Sequence, residues 1–148
     1  PLKLGNVYSD KIEIVDAKTE AGWRTIPIHP HITQTVARLV DTSTDGYLLS
    51  GLTFNQYGDR SNAIGKRFGR LKSSLGYGKD YVFHSLRKGF ATQLENATIP
   101  VTVVARLMGH EIDGQTFGNY SDGLALKGLR EAINHLDCRY TRDGAEAC

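Results

Sequence analysis

The chain has 148 residues, 40% of them apolar and 23% charged, which suits one ordinary folded domain with its own core and excludes a fibrous or disordered chain. Lysine and arginine outnumber aspartate and glutamate by 18 to 16, so the net charge of +2 does not by itself announce a nucleic-acid binder. No apolar run approaches the roughly 20 residues of a membrane span, and no basic-then-apolar leader opens the chain.

Two cysteines, Cys138 and Cys148, lie near the C-terminus. They are too few and too peripheral for a disulfide scaffold or a zinc pattern, which leaves a reducing cytosol as the default compartment. The only methionine is Met108 and the chain opens on PLKLG, which points to a piece of a longer protein.

In chain order, KIEIVDAKTEAGWRTIPIHP predicts a β-hairpin. Ile12 and Ile14 alternate with polar neighbours, Ile26 and Ile28 do the same, and AKTEAG forms the loop. Pro30 opens a helix with Ile32, Val36, Leu39 and Val40 on one stripe. A second helix is predicted from about Asp59 to Leu75, with Ile64, Phe68, Leu71 and Leu75 inward and Lys66, Arg67, Arg70 and Lys72 on its other sides. A third runs from about His84 to Ala97, buried through Leu86, Phe90 and Leu94. A fourth begins near Pro100, carries Val101, Val104 and Leu107, and stops at Gly109. The last, from Gly123 to Leu136, places Leu126, Leu129, Ile133 and Leu136 on one face. The stretch between, HEIDGQTFGNYSDG, reads as loop, and residues 139–148 as a flexible tail after a domain spanning 1–138. A small antiparallel sheet followed by helices gives an α+β, helix-dominated class.

Four features could carry chemistry. HSLRKGF sets His84 and Arg87 three residues apart, on one side of a helix, where two donors suit an anion. His110 follows the glycine that ends a helix, Tyr120 lies in a glycine-bearing loop, and Lys18 sits at the hairpin tip. Each alone has a dull explanation as a surface or packing residue. Together they form a metal-free kit for attacking a phosphodiester. A phenol can act as nucleophile on a strongly electrophilic centre. A guanidinium fork and imidazoles can hold the oxygens around phosphorus. A lysine can protonate the leaving oxygen. The anion this points to is a DNA phosphate.

VFHSLRKGFATQLENATIPVTVVARLMGHE, followed by TFGNY, resembles the catalytic domain of the tyrosine recombinases, or phage integrase family. Arg87 precedes His110 by 23 residues and Tyr120 follows it by ten, as an ordered series similar to that family's. AKTEAGWRTIPIHP resembles its lysine-bearing hairpin, and the resemblance spans about Gly5 to His135. It implies the fold of a DNA breaking-rejoining catalytic domain. It also implies that Tyr120 attacks the scissile phosphate to give a 3′-phosphotyrosyl link and a free 5′-hydroxyl. Arg87 and His110 would hold phosphate oxygens, His84 would assist proton transfer, and Lys18 would be the general acid. No cofactor and no metal is implied.

The resemblance departs in two places. The family's second arginine, on a helix before the hairpin, has no counterpart here, so the fragment is expected to fold but to cleave DNA poorly. The glycine-rich stretch between His110 and Tyr120 is one residue longer than the pattern suggests, with Tyr140 as the fallback nucleophile. The basic face of the second helix, Lys66 and Arg70, is the candidate duplex contact. The implied partner is double-stranded DNA, with a monomer free in solution and a tetramer of full-length protomers on DNA. The implied setting is the cytoplasm of a bacterium or a phage host, at the nucleoid, with the protein moving a mobile element. Alternatives are a type IB topoisomerase and a DNA-binding regulator with vestigial catalytic residues.

Overall fold

The computed structural model describes residues 1–17, 22–111 and 125–137. The hairpin forms as its alternation predicts: β1 (Lys11–Ile14) pairs antiparallel with β2 (Arg24–Pro27), with Ile12 opposite Ile26 and Ile14 opposite Arg24. A 3-10 turn over Pro30–Ile32 leads into α1 (Thr33–Asp41); the His29 ring accepts the His31 amide at 3.2 Å and so caps the turn. Ile28, Val36 and Leu48 form a small core beneath the sheet, with Leu2, Leu4, Ile12 and Leu39 packed on it.

The larger core belongs to three helices: α3 (Phe83–Asn96), α4 (Val101–Met108) and α5 (Leu126–Ile133). Leu94 is fully buried at its centre, among Val104, Leu107, Met108, Leu129, Ala132 and Ile133. Burying one leucine in this way stabilises the fold by about 2 kcal/mol. The C-terminal half of α5 and the residues after it are tied to the rest. Arg130 donates to Asp10 Oδ2 at 2.6 Å, and the Asp137 amide donates to the Gln93 side chain at 2.8 Å. Five α-helices and one two-stranded sheet, among the described residues, make the fold α+β and helix-dominated.

α2 (Ser61–Ser74) is helical where its periodicity predicts, but it buries no residue. It touches α3 through an edge-on Phe68–Phe83 contact with centroids 5.2 Å apart, while Leu71 is 57% exposed. What anchors its start is Arg60, only 3% exposed. Arg60 donates to Asp45 Oδ2 at 2.5 Å and to Leu49 O at 3.3 Å, and its guanidinium lies 3.9 Å from the centre of the Tyr47 ring.

Three predicted stripes are too long. Leu86, expected inside, is 57% exposed, because the part of α3 that packs on the core begins one turn further along, at Phe90. Val101, on the first turn of α4, is 74% exposed, and Ile32 precedes α1 with its side chain outward. The predicted tail, residues 139–148, lies outside the described residues, as does the start of the predicted last helix. Among the described residues no helix is long and apolar enough to cross a membrane.

Candidate functional site

A helix ends with carbonyl groups that have no partner inside it and carry a partial negative charge. α4 ends at Gly109, which takes the left-handed conformation (φ 68°, ψ 41°) that lets the chain turn back. The His110 amide then donates to Ala105 O at 2.9 Å. This closes the cap and sets His110, exposed, just past the helix end.

Two arginines take successive carbonyls of that last turn. Arg24, the first residue of β2, donates from Nε to Leu107 O at 3.0 Å and from Nη1 to Gly22 O at 2.6 Å. Arg87, on the second turn of α3, donates from Nη2 to Met108 O in a short bond. The Arg24 guanidinium packs directly on Gly109: a Cβ there would stand 2.5 Å from Nη1. Glycine is required at this position twice, once for its φ and once for the space.

His84, the other half of the H-x-x-R pair, is exposed on the first turn of α3, one turn before Arg87. That turn is closed by Ser85. Its amide donates to Val82 O at 2.8 Å, and its hydroxyl accepts the Val82 amide at 3.1 Å. Helical spacing thus places His84 and Arg87 on one side, and the arginine's reach places that side toward Gly109 and His110.

The electrostatics favour an anion. Burial first, and the Arg87 charge second, push the Arg24 guanidinium below the ordinary arginine range. Neither Arg24 nor Arg87 is paired with a carboxylate among the described residues. Among the described residues both guanidinium groups bond only to carbonyl oxygens, an arrangement that suits an incoming oxyanion. No three His, Cys, Asp or Glu side chains among the described residues gather closely enough to hold a metal ion.

The structure therefore brings Arg87 to the backbone beside His110, with His84 on the same helix face. Lys18 and Tyr120 lie outside the described residues. Lys66 and Arg70 are both exposed on α2, one helical turn apart. Arg24 was missed by motif reading, because its partner carbonyl is 83 residues away. A signal did exist. Residues 24, 26 and 28 share one face of a strand, and a charged residue on the same face as Ile26 and the buried Ile28 must find partners inside.

Comparison with curated proteins gave no match, and comparison with solved structures gave none. The sequence pattern of the phage integrase family matches residues 2–125, which takes in the hairpin, α1 to α4 and the H-x-x-R pair and stops before α5. With most of its length matched and Arg87 docked at the Gly109–His110 turn, the chain belongs to the phage integrase family, the tyrosine recombinases, which act on DNA.

Proposed function

We propose that this chain is the catalytic domain of a site-specific DNA recombinase that cuts and rejoins strands through Tyr120. The observation that carries the reading is the docking of Arg87 on Met108 O, which puts its guanidinium beside His110. With one donor on that carbonyl, the remaining N–H groups of Arg87 would hold non-bridging phosphate oxygens together with His110.

Tyr120 Oη attacks the phosphorus, and the bond from phosphorus to the 5′ oxygen breaks. The 5′ oxygen leaves with a proton from Lys18, and His84 helps to take up the phenol proton. The product is a 3′-phosphotyrosyl ester and a free 5′-hydroxyl. The reverse attack by a 5′-hydroxyl of a second strand expels Tyr120 and reseals the backbone, so exchange needs no nucleotide hydrolysis. Arg87 and His110 act by stabilising charge on the pentacoordinate phosphorus, where one lost donor costs about 3 kcal/mol. Lys66 and Arg70 on α2 meet the duplex backbone beside the site. The protein works as a monomer in solution and as a tetramer of full-length protomers on DNA, in the cytoplasm, on the DNA of a mobile element.

The test is a nicked duplex from which the strand downstream of the cut diffuses away, trapping the ester. A covalent adduct is expected from the chain with Tyr120 in place, and none after Tyr120→Phe. An adduct that survives Tyr120→Phe moves the nucleophile elsewhere and sinks this assignment.

A further inference from the structure

Arg24 has no place in the reaction just described, yet it is the more firmly held of the two arginines at the end of α4. Its forked guanidinium spans two elements: Nε holds Leu107 O at 3.0 Å, and Nη1 holds Gly22 O at 2.6 Å on its own side of the molecule. It lies on Gly109 at a distance only glycine permits, one residue before His110. Arg87 takes the very next carbonyl, Met108 O. The order of contacts along α4 is therefore Arg24, Arg87, then the turn that places His110.

Two consequences follow from ordinary electrostatics. Like charges held together repel, and an anion arriving between or beside them relieves that repulsion. A cation that does not touch the anion still strengthens its binding when water is partly excluded. Arg24 is half-buried, has no carboxylate partner among the described residues, and spends two of its donors on carbonyl groups. Those two bonds hold its side chain at the end of α4, within reach of the Arg87 charge.

We propose that Arg24 is a positioning residue of the phosphate site, pinning the Gly109–His110 turn from behind and backing the Arg87 guanidinium with a second positive charge. This rests on the reading of Arg87 and His110 as phosphate ligands. It assigns Arg24 no contact with the reacting atoms and makes the strand end, rather than the hairpin loop alone, part of the machinery.

Two variants separate charge from scaffolding. Arg24→Lys and Arg24→Gln each keep one donor for a carbonyl and each lose the fork, but only lysine keeps the charge. The probe is dimethyl phosphate, a phosphodiester without bases. It is titrated into the full chain carrying Tyr120→Phe and followed through the Arg87 Nε–H and His110 ring resonances, with melting temperature measured beside it. Arg24→Gln is expected to weaken dimethyl phosphate binding about tenfold, while Arg24→Lys stays within about threefold of the parent at a similar melting temperature. Equal weakening in both variants would reduce Arg24 to scaffolding, and no weakening in either would make it a bystander. Both results overturn the proposal, as does a parent that does not bind dimethyl phosphate at all. Dimethyl phosphate binding by this parent, together with no adduct on the nicked duplex from the chain that keeps Tyr120, sinks the recombinase reading and leaves the Arg24 proposal standing.

Discussion

α2 and α4 end in nearly the same way and are used quite differently. Each stops at a left-handed glycine, Gly76 at φ 81° and Gly109 at φ 68°. In each the following amide reaches back along the helix, Tyr77 to Lys72 O at 2.9 Å and His110 to Ala105 O at 2.9 Å. Local sequence sets both caps. Around Gly76 the space a side chain would fill is open, whereas around Gly109 it is taken by Arg24. Of the two turns, it is at Gly109 that distant elements deliver arginines to the carbonyl groups of the last helical turn. The helix bodies differ likewise, since α2 buries nothing and α4 buries Val104, Leu107 and Met108.

Substitutions can sharpen that contrast. The largest effect on stability is expected from Leu94→Ala, which empties a fully buried position facing α4 and should lower unfolding free energy by about 3 kcal/mol. Leu71→Ala on α2 should change it by no more than about 0.5 kcal/mol, since that side chain is mostly in water. Urea unfolding of the two variants side by side measures the gap, and equal losses would mean that α2 is held as firmly as α4.

Next come the two cap glycines. Gly76→Ala meets only the left-handed strain, about 1 kcal/mol. Gly109→Ala adds displacement of the Arg24 guanidinium and should cost about 2 kcal/mol or more, with loss of adduct formation that Gly76→Ala does not share. A smaller change is expected from replacing Lys66 and Arg70 by Ala together. Folding should be unaltered, and the slope of log affinity for duplex DNA against log salt should become shallower by about 2. An unchanged slope would mean that this face of α2 meets only solvent.

The smallest effect concerns pH, at the start of α2. Burial by itself pushes the Asp45 carboxyl up. The hydrogen bond from Arg60 and the amides of Tyr47 and Gly51 outweigh it and hold the carboxyl below its usual 3.8. A carboxyl lowered on folding contributes stability that is whole above about pH 4 and drains away as pH falls further. Asp45→Asn should therefore flatten the acid limb of the stability profile, read as melting temperature between about pH 5 and 2.

Much of this was legible in the sequence. The period-two Ile12, Ile14, Ile26 and Ile28 set the hairpin, and the three-and-four spacing of Phe90, Leu94, Val104 and Leu107 set the helices around the main core. The H-x-x-R spacing set His84 and Arg87 one turn apart on α3. What sequence could not supply was depth. Leu86 and Leu71 obey the same periodicity as Leu94, yet only Leu94 lies within the cluster that α3, α4 and α5 close over. Arg24 was hidden for a related reason: its hydrogen bonds are long-range, and no local pattern encodes a carbonyl 83 residues downstream. Lys18 and Tyr120 rest on the ordered series of residues alone.

The bond from Arg130 to Asp10 joins positions 120 residues apart, and nothing nearer in the chain can substitute for it. Closures of that span are the slowest events in folding and come after local helices have formed. In a growing polypeptide that contact is therefore among the last to close, after the hairpin and the helices it joins have formed.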